Sequence, residues 1–491
     1  MSETSSLSER AVSPSFKGAS LESRRWPALF VMLAGTLLSP VDFFIVNIAL
    51  PSIQSDLKAT PAAIELVLSG YACAYAVLLI TGGRLGDIFG RRLIFLIGII
   101  GFALASLACG IASSANALVI SRIVQGGFAA ILMPQSLATI RVLFPEHERP
   151  KAMGYYAATF GLGAILGQLL GGLLVAINPF GLGWRSIFLV NLPIIAVVIP
   201  LSIILLRETR DDRAQRLDIG GVILLAAALT AMIIPIVEGP EHGWPVWVIT
   251  LLTSAFPLFI IFWFYEKRVV ARGRDPLFPP GILAAPGLVR GLTATLLYNA
   301  FAAFFLVFSI YQQDALGRTP LEAGLAIMPF AFGFAISPLF SAGLTKGLGR
   351  RAPTFAMIVL ATGMFSSAIA AFLDFGTVTS LTTILIGIGQ GFALPTLVRT
   401  VVERIDGRWA GLSAGLVSSI LQISGSLSIA LIGGLFYAMM DGRSSPLIVA
   451  HAFTVAVAAI GVSLLVAAWL IDGVRPAQHP PFSSGSRRTL Q

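Results

Sequence analysis

Residues 82–92 read GGRLGDIFGRR and separate two long apolar runs. Gly83, Gly86 and Gly90 permit a tight reversal of the chain. Asp87 is suited to cap a helix start and to pair with a cation, and Arg91 and Arg92 hold the turn on one side of a bilayer. The stretch predicts a short loop between a second and a third membrane helix.

Composition points the same way. Hydrophobic residues make up 56% of the 491, and charged residues only 12%, where soluble domains carry about 25%. Cys73 and Cys109 lie inside apolar runs, which indicates neither a disulfide framework nor a cysteine-based metal site. The polar, Ser-rich residues 1–25 are expected to form a disordered cytoplasmic tail rather than a signal peptide, and 472–491 a second tail.

Apolar runs of about 20 residues, the length that crosses a hydrocarbon core, occur near 26–50, 63–82, 93–113, 117–140, 153–177, 186–206, 217–237, 245–265, 287–312, 320–344, 352–373, 378–401, 411–440 and 448–471. This is an all-α polytopic membrane protein with fourteen expected spans and both termini on one side. About 28 of the 33 Lys and Arg fall on the face shared with the termini, which is the cytoplasmic face by the positive-inside rule. The opposite face has Lys58, Arg185, Arg318 and Arg443. The net charge of +9 is therefore an orientation signal, and nucleic acid is excluded as a partner for want of a basic, aromatic-studded soluble domain.

AGLTKGLGRR at 342–351 echoes GRLGDIFGRR at 83–92, with Lys346 where Asp87 stands, and Gln125-Gly126 before Pro134 is echoed by Gln390-Gly391 before Pro395. Two six-helix halves follow, 26–206 and 287–471, related as parallel repeats. Two extra central helices occupy 207–286, between RETRDDRAQR and EKRVVARGRDP.

The first apolar run contains SPVDFFIVNIALPSI, residues 39–53. Pro40 interrupts its hydrogen bonding, Asn47 adds a polar group, and Asp42 is a carboxylate inside the bilayer, costly unless paired or functional. Asp42 lies roughly 12 Å inside the outer end of helix one, and Arg122 of LVISRIVQGG roughly 8 Å inside that of helix four. The depths match closely enough for an ion pair. In GLGAILGQLLGG (161–172), Gly163, Gly167 and Gly171 form one stripe that lets another helix approach.

DFFIVNIALP, GRLGDIFGRR, RIVQGG, the glycine motif and WRSIFLVNLPI at 184–194 follow one another in the order of a known group. The chain resembles the fourteen-helix drug:proton antiporter branch of the major facilitator superfamily, and IYQQDALGRTPLEAGLAIMP at 310–329 resembles that branch's junction of helices nine and ten. It departs at Gln168, where the antiporter glycine motif usually has proline, and at Leu66, where an aromatic is frequent.

The resemblance implies a proton-coupled secondary transporter of the bacterial plasma or inner membrane that exports amphiphilic small molecules by alternating access. Asp42, Arg122 and Glu65 are the expected proton-coupling residues. Gly83, Asp87, Gly90, Arg91 and Arg92 form the expected conformational latch. Gly163, Gly167, Gln168, Gly171 and Gly172 are the expected packing motif, and Phe43, Phe44, Tyr298, Phe301, Phe305 and Gln312 the expected cavity lining. Asp314 and Glu322 are weaker candidates, while Glu238 and Glu266 are expected at solvated helix ends.

Protons, the lipid bilayer and the substrate are the implied partners, with a membrane-fusion adaptor where efflux crosses two membranes. A dedicated exporter of one antibiotic or siderophore, and an uptake symporter, stay open. His147, His242, His451 and His479 lack metal-ligand spacing and no phosphate-cradling GxxxxGK[ST] loop occurs, so no metal, cofactor or enzymatic chemistry is expected.

Overall fold

The computed structural model describes residues 25–145, 147–210, 217–278, 280–281, 287–402, 417, 420–421, 423–440 and 445–473. Nearly all of both expected tails, the charged residues 211–216, the Arg404–Arg408 loop, Arg443 and the start of the thirteenth expected span lie outside them. Described residues form helices, turns and connections, with no strand among them. Water is absent from a bilayer core, so each backbone N–H and C=O must be satisfied within its own helix.

The N-terminal half comprises α1 (Arg25–Leu57), α2 (Pro61–Phe89), α3 (Arg91–Gly110), α4 (Ala115–Leu143), α5 (Arg149–Ile177), the short α6 (Ser186–Leu189) and α7 (Asn191–Leu205). Next come α8 (Ile219–His242) and α9 (Val246–Ala271), the two extra helices. The C-terminal half begins with α10 (Leu288–Tyr298), a 3-10 stretch, α11 (Phe304–Ile310) and the π turn Tyr311–Ala315. It continues with α12 (Pro320–Ala326), α13 (Met328–Leu348), α14 (Ala352–Phe372) and α15 (Gly376–Val402). A second π stretch, Ile429–Gly433, leads into α16 (Gly434–Met440), and α17 (Pro446–Asp472) closes the half.

Thirteen described stretches are long and apolar enough to cross a membrane, and Gly161–Ile177 of α5 supplies a shorter one at the place of the expected fifth span. Local signals start several helices. The Thr60 side chain accepts from Ala63 N ahead of Pro61, Ser114 caps α4, Ser445 caps α17, and Thr319 with Glu322 forms a capping box on α12. Glu322 is thereby used as a cap.

The 82–92 stretch differs from expectation. α2 continues through it to Phe89, and the reversal occupies the single residue Gly90, at φ 111°. Asp87 is inside a helix and caps nothing. The earlier glycines serve packing instead: a Cβ on Gly82 would stand 2.8 Å from Ile131 Cα, and one on Gly86 would overlap the Gln135 amide. Gly349, the counterpart of Gly90 in the repeat, also has positive φ, 52°, and joins α13 to α14.

Within the N-terminal half α2 packs on α4 and α1 on α5, while in the C-terminal half α15 packs on both α13 and α14. The halves meet where α5 touches α12 and α13, where α1 touches α11, and where α2 touches Ile429–Gly433. α8 lies along this seam. It packs on α2 in one half and on Ile429–Gly433 and α16 in the other, with Ala62, Val77, Leu229, Ile233, Val237 and Ala430 forming one buried cluster.

Candidate functional site

Asp42 of α1 and Arg122 of α4 are both fully buried, and Arg122 Nη1 donates to Asp42 Oδ2. The expected ion pair is present. It sits within a larger polar network: Gln125 Nε2 donates to Asp42 Oδ1 at 2.8 Å and to Ser106 Oγ at 2.8 Å, while its Oε1 accepts from Arg122 Nη1 at 2.6 Å. Asn191 at the start of α7 donates to Asp42 Oδ1 at 3.4 Å and to Ser106 Oγ at 3.3 Å.

Arg122 is held from its other side. Its Nε donates to Val67 O at 3.1 Å, and its guanidinium carbon lies 4.2 Å from the Tyr71 ring centroid, a cation–π contact. Tyr71 in turn shares a 2.9 Å hydrogen bond with Ser39. Nη2 has no hydrogen-bond partner. Two buried charges thus neutralise each other, and polar groups from α1, α2, α3, α4 and α7 satisfy most of the remaining hydrogen-bonding capacity. Removing one partner of such a pair strands the other at a cost of about 3–5 kcal/mol.

Gln125, Asn191, Ser106 and Tyr71 were not among the expected site residues. Gln125 had a readable signal, three residues from Arg122 and hence on the same helix face, and Asn191 is a polar residue inside WRSIFLVNLPI. Ser106 and Tyr71 carried none. Glu65 is buried on α2 but belongs elsewhere: it faces Gly433 of the other half, where a Cβ would stand 3.1 Å from its carboxyl carbon. Asn47 only bonds back to Phe43 O, at 2.7 Å.

The glycine motif has two working faces. A Cβ on Gly163 would stand 2.6 Å from Pro40 Cβ, one on Gly167 2.7 Å from Val41 O, and one on Gly171 2.9 Å from Ile45 O, so the stripe is pressed on the stretch of α1 that carries Asp42. Gly172 faces the C-terminal half, where a Cβ would stand 2.7 Å from Pro320 O. Gly324 answers it from α12, its Cβ position 2.8 Å from Gln168 O. Gln168 is buried and its Oε1 has no hydrogen-bond partner.

At the 83–92 turn, Arg91 and Asp87 form a 2.8 Å ion pair across the reversal at Gly90. Arg92 Nη2 donates to Ile203 O at 2.9 Å, and the Glu208 carboxylate accepts from the backbone N–H of Arg92 and Leu93, both at 3.1 Å, capping α3. Gly83 has only an ordinary 3.6 Å clearance to Pro134 Cβ.

Of the expected cavity residues, Phe43 and Phe44 are half-buried, and Phe44 meets Phe305 edge-on at 4.8 Å across the two halves. Phe301 and Phe305 are buried in an aromatic cluster with Phe330. The Tyr298 hydroxyl donates to Gln390 Oε1 at 2.7 Å, which makes the repeat's counterpart of the Asp42 network a neutral pair. Gln312 is committed to Ser380 at 3.3 Å and Arg318 at 2.8 Å, near the end of its span.

Against known proteins, the sequence matches the family model described as Major Facilitator Superfamily over residues 32–429. The chain belongs to the Major Facilitator Superfamily. Superfamily members similar to it include the puromycin resistance protein pur8 of Streptomyces alboniger, 37% identical with 95% of each chain covered. The probable actinorhodin transporter of Streptomyces coelicolor is 32% identical, with 86% of this chain and 74% of that one covered. A D-xylose–proton symporter structure aligns at TM-score 0.64 over 92% of this chain and 98% of its own, at 16% identity, a likeness of superfamily fold alone.

Proposed function

We propose that the protein exports amphiphilic small molecules of the drug or antibiotic kind from the cytoplasm, driven by proton influx. The observation that carries this is the buried Asp42–Arg122 pair with its Gln125 and Asn191 donors, set in a chain akin to resistance and export proteins. Protonating Asp42 cancels the charge that holds Arg122. Substrate binding and proton binding then favour opposite states, and the halves rock about the seam. A proton entering across about 100 mV releases ~2.3 kcal/mol, enough for a roughly 50-fold gradient of a neutral substrate.

In this reading the termini are cytoplasmic, the 83–92 turn latches the cytoplasmic side, and the contacts of α5 with α12 close the outer side. The actinorhodin-transporter relative favours a second reading, a dedicated exporter of one metabolite. An efflux panel separates the two by the number of compounds moved.

The test is transport into reconstituted vesicles with and without an imposed pH gradient. Asp42→Asn imitates the protonated acid. It is expected to equilibrate substrate while losing all accumulation against a gradient. Uphill pumping by Asp42→Asn in response to the gradient would remove Asp42 from the coupling role, and Glu65 would be tested next.

A further inference from the structure

A second buried carboxyl cluster lies outside the Asp42 network, where the α8–α9 hairpin joins the chain running on toward α10. Asp218 caps α8 and accepts three hydrogen bonds, from Gly221 N at 2.9 Å and the Tyr265 hydroxyl at 3.0 Å on Oδ1 and from Leu277 N at 3.1 Å on Oδ2, which leaves Oδ2 room for one more. Glu266 of α9, expected at a solvated helix end, is instead fully buried. Its Oε2 accepts from Phe278 N at 3.1 Å, whereas its Oε1 has no hydrogen-bond partner.

That unpartnered oxygen is aimed at Asp218. A Cβ on Gly221 would overlap Glu266 Oε1 and stand 2.7 Å from Asp218 Oδ2, so both oxygens line the one space that glycine leaves there. Both carboxyl oxygens border the same Gly221 Cβ position, which sets the two acids side by side. A hydrogen bond between carboxyl groups requires one proton, because two carboxylates at that separation cannot both stay ionised in a buried site.

Among the described residues, few groups face the pair. Tyr265 bonds Asp218, and Arg84 of α2 faces Asp218, Glu266 and Asp275 of the connection, with Arg274 beside Tyr265. Arg84 donates to Asp275 O and Pro276 O. Residues 275–278 are therefore strapped down by three side chains from separate places: Arg84 from α2, Asp218 from the α8 cap and Glu266 from α9.

We propose that Glu266 and Asp218 form a second proton-binding site, in which the Glu266 O–H donates to Asp218 and keeps residues 275–278 fastened to the end of α2. Releasing the proton sets two carboxylates against each other under the strap and loosens it. Because α8 packs on both halves along the seam, occupancy of this site biases how the hairpin sits between them. The site does not rest on the export reading.

Its test is infrared difference spectroscopy of the purified full-length protein in lipid nanodiscs, titrated with acid and base in H2O and D2O. The wild type is expected to show a carboxylic-acid C=O band that shifts in D2O, titrates with pH and persists in Asp42→Asn. Glu266→Gln keeps the shape and donates an amide N–H to Asp218 in place of the O–H. It is expected to lose that band and to take up one proton fewer per chain. Asp218→Asn keeps the acid but changes what it donates to, and is expected to displace the band. A band unchanged in both variants, or absent from the wild type, overturns the site whatever the transport assays give.

Discussion

Gly172→Ala is expected to shift the protein away from the conformation seen here without unfolding it. A methyl group on Gly172 would lie 2.7 Å from Pro320 O and 2.9 Å from Leu321 Cα, where ordinary contact begins at 3.4 Å. Both neighbours are main chain, so no side chain can swing aside and α12 must retreat by several tenths of an ångström. Overpacking of this size costs about 1–3 kcal/mol. The contact joins the two halves, so the cost falls on the state in which they are closed at this end. The equilibrium between the states should move by about 5- to 150-fold.

Gly167→Ala is the matched comparison. Its methyl would lie 2.7 Å from Phe44 Cβ and from Val41 O, both on α1 of the same half, so every conformation bears the cost. Spin labels at the exposed Ser113 and Thr377, one in each half, read the outcome by double electron–electron resonance. Gly172→Ala should transfer population to a longer distance, and Gly167→Ala should lower stability with the distribution unmoved. An unchanged distribution in Gly172→Ala would refute the assignment of this contact as the closure between the halves.

Two further outcomes are expected. Asp87→Asn removes the 2.8 Å ion pair with Arg91 while keeping the side chain's size, so transport should fall sharply with the protein still in the membrane, and full activity would leave the turn a mere connector. For orientation, a cysteine at Ser113 in a Cys73→Ser, Cys109→Ala background should react with an impermeant thiol reagent on intact cells, and one at Arg272 only after the cells are opened; the reverse pattern inverts the topology.

How much of this was legible in the sequence depends on the range of the interaction. Helix positions follow from apolar length alone, and the Asp42–Arg122 pair from matching depths, since a buried charge needs an opposite one nearby. Gln125 was recoverable from its spacing to Arg122. Ser106 and Tyr71 were not, because which faces of α2 and α3 turn toward α4 is decided by packing. The 82–92 stretch misled for a related reason. Its glycines suit a loop, but Gly82 and Gly86 are needed so that α2 can lie against α4 and Gln135, and the helix runs on to Gly90. Glu266 looked solvent-bound at the end of its apolar run, and only the return of residues 275–278 over it buries the carboxyl.

The two halves share a fold yet divide the chemistry. A second buried ion pair would add several kcal/mol of desolvation, and the repeat's counterpart of the acidic centre is the neutral Tyr298–Gln390 pair. The C-terminal half instead turns an aromatic surface, Phe301, Phe305 and Phe330, toward α1. Phe44, which meets that surface at 4.8 Å, is two residues from Asp42 on one rigid helix. α1 has little room to absorb a displacement, because the glycine stripe of α5 is pressed on its backbone and Gln313 of the other half donates to Ile48 O at 3.0 Å. In the export reading, a ligand that parts Phe44 from Phe305 therefore moves the helix that holds Asp42. In the same reading a charge change at Asp42 acts on that aromatic contact, and the proposed competition of substrate and proton runs through α1 without the two sharing an atom of the site.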